Sequence, residues 1–166
     1  MMAFTCLENK LMVGYGNNLF KPQNDTTRAT IIVMMWRLNG SPVVNCVLDF
    51  EDVKADDWYT EAVRWAKAEG IALGYGNGKL GPNDTMTREQ LATMLWRYAG
   101  SPASSHSLEE FTDADRISGY AQEAMRWANE KGIVKGFGNG LLGTQGNTTR
   151  AQMASMFMRF CSETAK

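Results

Sequence analysis

From Tyr59 the apolar positions fall at Tyr59, Ala62, Val63 and Ala66, with polar residues between them. This i, i+3, i+4, i+7 spacing predicts an amphipathic helix. Asp57 stands where an N-cap residue would start it, and Gly70 where a C′ glycine would end it. The spacing returns at Ala121, Ala124, Met125 and Ala128, closed by Gly132. We call this helix type A. A second type, B, carries the stripe Leu91, Met94, Leu95, Tyr98, with equivalents Ile31, Met34, Met35, Leu38 and Met153, Met156, Phe157, Phe160. Every stripe position is apolar or aromatic, so the stripe is predicted to be core. The chain's 11 methionines fall heavily on it and read as adaptable core filler. Thr87-Arg88-Glu89-Gln90 and Thr149-Arg150-Ala151-Gln152 have the form of a capping box, whereas Thr27-Arg28-Ala29-Thr30 keeps only the cap. Gly40-Ser41-Pro42 and Gly100-Ser101-Pro102 stop the first two B helices. Between A and B lies a turn-rich segment, Gly74 to Gly81 and then Pro82-Asn83-Asp84, predicted as a tight loop or very short strand pair.

These elements form a repeat with a period of roughly sixty residues. Gly14-Tyr15-Gly16-Asn17 recurs as Gly74-Tyr75-Gly76-Asn77 and Gly136-Phe137-Gly138-Asn139. Thr27-Arg28, Thr87-Arg88 and Thr149-Arg150 follow at constant spacing, and then Trp36, Trp96 and Met158. Copy one begins in mid-helix, with nothing to match Phe50, Asp52 or Trp58. The expected fold is all-α: a single domain over 1–166 of three tandem helix-loop-helix repeats, at 1–42, 50–102 and 111–162. Five main helices are expected, with a short A remnant in copy one. Its uncovered apolar residues Met2, Phe4 and Leu7 predict self-association or a protein partner at that end.

The arginines need a physical account. Arg28, Arg88 and Arg150 each follow an N-cap and so sit at the positive end of a helix dipole, a mildly unfavourable place for a cation. A compensating partner is required. Asp52 and Asp113 are internal candidates. An external carboxylate or phosphate is the other, since a helix N-terminus and a guanidinium fork both suit an anion. Trp58 and Tyr120 precede the A helices at equivalent places and offer aromatic faces to a sugar ring. Trp65 and Trp127, repeated on the A helices themselves, are predicted to be core.

Charge and chemistry narrow the choice. With 17 basic and 18 acidic residues there is no field for nucleic acid or an anionic membrane. No apolar run is long enough to span a bilayer, so no membrane insertion is expected. Met1 to Gly14 shows no signal-peptide pattern. The expected location is the bacterial cell surface if the chain is a piece of an exported protein, and the cytoplasm if Met1 is the true start. Cys6, Cys46 and Cys161 form no CxxC pair and read as small buried hydrophobes. The lone histidine, His106, lies in a polar linker and can build neither a zinc site nor a base–nucleophile pair. No acid pair, triad or metal cluster recurs, so no catalysis, cofactor or metal is expected.

At the motif residues the chain resembles the S-layer homology family. Copy two has Phe50-Glu51-Asp52-Val53, Trp58, Gly74-Tyr75-Gly76-Asn77-Gly78, Leu80-Gly81-Pro82-Asn83 and Thr87-Arg88-Glu89-Gln90. Copy three has Phe111-Thr112-Asp113-Ala114 and Tyr120 for tryptophan. The resemblance implies a pseudo-threefold bundle with three B helices at the centre and ligand grooves between copies. It implies a non-catalytic anchor for acidic, often pyruvylated, cell-wall polysaccharide, held by Arg28, Arg88 and Arg150. The candidate ligand-binding set is completed by Asn77, Asn139, Trp58, Tyr120, Asp52 and Asp113. Arg88, in the most complete copy, is the expected principal contact, exposed at a groove mouth and dispensable for stability. The alternative is a stand-alone protein-interaction domain, an adaptor or phage-type inhibitor, reusing the same fold.

Overall fold

The computed structural model describes residues 11–14, 17 and 19–164. Among these the regular structure is helical: α1 (Arg28–Leu38), α2 (Thr60–Ala68), α3 (Arg88–Tyr98), α4 (Gln122–Glu130) and α5 (Arg150–Thr164). Short 3₁₀ turns at Ala114–Arg116 and Gly119–Ala121 lead into α4. Helices α1, α3 and α5 are the B type, and α2 and α4 the A type. The predicted copy-one A remnant and the apolar residues Met2, Phe4 and Leu7 lie outside the described residues.

The B helices start as their sequences dictate. In α3 the Gln90 amide donates to Thr87 Oγ1 (3.3 Å) while the Thr87 amide donates to Gln90 Oε1 (3.1 Å), a closed capping box. Thr149 and Gln152 repeat it at α5. Thr30, too short to return the bond, leaves α1 with the cap alone. The A helices differ from expectation. Asp57 does not cap α2, whose N-cap is Tyr59 without a side-chain bond. The Asp57 carboxylate instead accepts from the Lys54 amide and the Tyr59 hydroxyl, bracing the turn before the helix.

The stripe positions meet in one core. Ile31, Met34, Met35, Leu91, Met94, Leu95, Met153, Met156, Phe157 and Phe160 are buried, with Leu38 and Tyr98 partly covered at the edge. Trp65 and Trp127 are buried as predicted. An edge-to-face series, Trp65–Tyr98–Phe160–Trp127, runs through this core and links copies two and three. The closest helix pairs are α1 with α2 and α3 with α4. Each described A helix therefore lies against the preceding copy's B helix, while the Tyr98–Phe160 ring contact joins the B helices α3 and α5. Cys161 is buried, but Cys46 is only half-buried. It lies in a segment without regular structure, and its carbonyl accepts from Arg64.

The three copies are also closed into a ring. The Thr26 amide donates to the Thr148 carbonyl (3.0 Å), the Thr148 amide to Met86 (2.7 Å), and the Met86 amide back to Thr26 (3.1 Å). All three residues are essentially inaccessible to water. Isolated antiparallel bridges flank the ring, pairing Asp25 with Thr149, Thr27 with Thr85 and Thr87 with Asn147. These are the residues just before the B helices. Buried backbone donors need partners, and each copy supplies the next one's.

Candidate functional site

The ring decides what surrounds the motif arginines. The first two amides of α1 donate to the Asp84 and Pro82 carbonyls, those of α3 to Gly146 and Thr144, and those of α5 to Asn24 and Pro22. The third amide of each goes to its own threonine cap. The N-terminal amides that were expected to receive an anion are thus occupied by backbone of a neighbouring copy. Only the guanidinium groups remain for a ligand.

Those guanidiniums are buried, with Arg28 at 8%, Arg88 at 5% and Arg150 at 6% exposure. Arg88 Nε and Nη2 donate to the carbonyls of Leu142 (2.9 Å) and Lys135 (2.8 Å). Arg150 Nε and Nη2 donate to Phe20 (2.9 Å) and Val13 (2.7 Å). Each arginine also lies over an aromatic ring of the copy it reaches: Tyr75 for Arg28, Phe137 for Arg88 and Phe20 for Arg150, at 4.6–4.8 Å from the centroid. The compensation for a cation at a helix N-terminus is therefore a cage of carbonyls and a ring face. Arg88 is therefore buried, not exposed at a groove mouth. Its burial, and then the like charge of Arg159, lower its pKa, with Asp113 opposing.

Asp52 and Asp113 are not the arginines' partners. Asp52 accepts from the amides of Leu80 and Gly81, and Asp113 from those of Leu142 and Gly143, all at 2.8 Å. Burial pushes both carboxyls up, but these backbone bonds outweigh it and hold both below the usual carboxylate range. Each clamps the turn that carries a ring under an arginine. At Gly81 and Gly143 the backbone has positive φ, and a Cβ would strike the rings of Tyr75 and Phe137.

Arg28 breaks the pattern. Its Nε is buried and has no hydrogen-bond partner among the described residues. It lines an open cleft of about 460 Å³ together with Gly74, Tyr75 and Gly76 of copy two, Gln90 and Arg97 of α3, and Tyr120 of copy three. Tyr120 is half-exposed and is anchored through its hydroxyl to Glu89 Oε1 (3.3 Å). Burial first, and then the Glu89 charge, raise the Tyr120 pKa. Buried Glu89 also accepts from the Ser118 amide and hydroxyl, so it ties the entry to α4 onto the start of α3.

Of the candidate set, then, Arg28 and Tyr120 line one cleft. Asn77 and Asn139 accept from the amides of Lys79 and Leu141 and serve their own turns. Trp58 is 65% exposed and stands edge-on to Tyr59, away from that cleft. The sequence reading overlooked Arg97. Its signal was present: Arg37, Arg97 and Arg159 each lie nine residues beyond a motif arginine.

A helical-repeat binding module, closed on itself by shared backbone bonds and open at an arginine-lined cleft between copies, is the class these features define. The S-layer homology domain model matches residues 5–32, 49–92 and 110–154, and the chain belongs to that family. It is 32% identical over 88% of its length to the Surface-layer 125 kDa protein of Lysinibacillus sphaericus, covering 12% of that protein. It is 31% identical over 88% to an amylopullulanase of Thermoanaerobacterium thermosulfurigenes, covering 8% of it. Against the Cellulosome-anchoring protein of Acetivibrio thermocellus the figures are 27% identity, 88% of this chain and 34% of that protein. The chain thus spans no more than about a third of these relatives. Among the described residues no helix is long and apolar enough to cross a membrane.

Proposed function

We propose that this domain is a non-catalytic anchoring module that holds its protein at a bacterial cell surface by binding an acidic cell-wall polysaccharide. The observation that carries the reading is the open cleft that Arg28, Arg97 and Tyr120 line together. A carboxylate or phosphate entering it meets guanidinium groups suited to charge-assisted hydrogen bonds. The ring of Tyr120 supplies a flat face on which a sugar can lie. Kinship to a surface-layer protein and a cellulosome-anchoring protein supports the same reading. The activities in the enzyme relatives' names do not transfer, because the chain covers so little of them.

The test is co-sedimentation with bacterial sacculi, before and after mild-acid extraction of their attached polysaccharide. Wild type should pellet with intact sacculi and stay in solution with extracted ones. Arg28→Ala should stay in solution with both, with little change in melting temperature. Equal pelleting by wild type with extracted sacculi would refute the glycan reading.

A further inference from the structure

Resting on the glycan reading above, we propose that Arg97 is a second ligand-binding guanidinium in the Arg28 cleft, so that arginines of two copies address one acidic substituent of the saccharide. Each B helix carries this second arginine nine residues after the first, as Arg37, Arg97 and Arg159. Each donates one Nη1 bond to its own copy, at Leu11, Ile71 and Ile133 respectively, which fixes where the guanidinium stands. Arg97 and Arg28 line the same cleft. Among the described residues the ion pairs, Arg64–Glu61 and Lys67–Asp49, involve neither of them. Glu89, behind Tyr120, has both oxygens committed to Ser118 and Tyr120.

Two guanidiniums therefore face one cleft, partly desolvated, with no carboxylate among the described residues bonded to either. Burial, and then the charge of Arg28, lower the Arg97 pKa. At Arg88, by contrast, both Nε and Nη2 already hold carbonyl oxygens. The Arg150 fork holds carbonyls as well. Backbone holds the fork in those two places; Arg28 and Arg97 instead line the cleft.

The shared ligand chemistry is an anionic substituent on a saccharide, and either a carboxylate or a phosphate supplies it. Calorimetric titration of the whole chain should use two purified probes, a cell-wall polysaccharide bearing carboxylates and a teichoic-type polymer bearing phosphodiesters. The probe that binds identifies the acid. Arg97→Gln should weaken that binding roughly ten- to hundredfold, the loss of one charge-assisted contact. Arg97→Lys should fall between, keeping the charge without the planar fork. On the wild-type protein, the bound probe should shield Arg28 and Arg97 from a dicarbonyl reagent while Arg37 and Arg159 stay reactive. If Arg97→Gln binds like wild type while Arg28→Gln does not, the anchor reading stands and this proposal falls. Wild type binding neither probe overturns both. Should Arg97→Gln fail to fold, the shielding pattern decides, and an unshielded Arg97 refutes the proposal.

Discussion

Three arginines written at one position in the sequence have different physical duties in the fold. Arg88 has two guanidinium bonds to neighbouring-copy carbonyls, whereas the buried Arg28 Nε has none among the described residues. Removing Arg88 leaves two buried acceptors unmatched and a cavity over Phe137. Arg88→Ala should therefore destabilise the domain by about 2–4 kcal/mol, read by denaturant melts, while Arg28→Ala should cost well under half of that. Equal losses would mean that the two sites are equivalent after all. The turn-clamping aspartates make a second case. Their folded pKa values lie below the unfolded carboxylate value, so their contribution is present above about pH 4 and is lost as pH falls through the folded values. Asp113→Ala should cost about 1–3 kcal/mol at pH 7, from two amides stripped of a charged acceptor. That difference from wild type should shrink in melts near pH 2.

At the level of the element, helix propensity and capping account for the B helices, and the capping boxes were legible because they are local. Thr87→Ala should cost about 1 kcal/mol, opening the box on α3. Leu95 is fully buried in the core stripe, and Leu95→Ala should cost roughly 2–5 kcal/mol. A thermal scan showing no shift for Leu95→Ala would contradict its place in the core. The A helices were legible from their period, but their starts were not. Tyr59 and Ala121, not an aspartate or serine, occupy their N-cap positions, and the entry to α4 is instead pinned by Glu89 from another copy. Nothing in a local window of sequence reveals such a tether.

The whole molecule is held by bonds that no copy can make alone. Thr26, Met86 and Thr148 exchange amides and carbonyls in a cycle, and each B helix start donates into the neighbouring copy's turn. Opening one copy therefore exposes buried donors and acceptors in both others. We expect hydrogen exchange at the Thr26, Met86 and Thr148 amides to share one protection factor, equal to that of global unfolding. Denaturant melts should show a single transition by fluorescence and by circular dichroism. Separate exchange classes for the three amides would show that the copies open independently.

The sequence by itself determined the repeat, the helix types and the buried stripe, because hydrophobic period, capping and C-terminal glycines act within a few residues. It also marked the arginines and aspartates as positions needing partners. Which partners they have was decided by tertiary structure. The Asp113 acceptors and the Arg88 donors meet backbone groups 29 to 54 residues away, and the Arg150 fork meets groups 130 and 137 residues away. Identical motifs predict identical sites only if their surroundings are identical. Here the cage of carbonyls closes around Arg88 and Arg150 and leaves the Arg28 Nε unmatched beside Arg97 and Tyr120. Among the described residues, three copies of one motif thus differ in hydrogen-bond geometry, a difference that only the folded chain expresses.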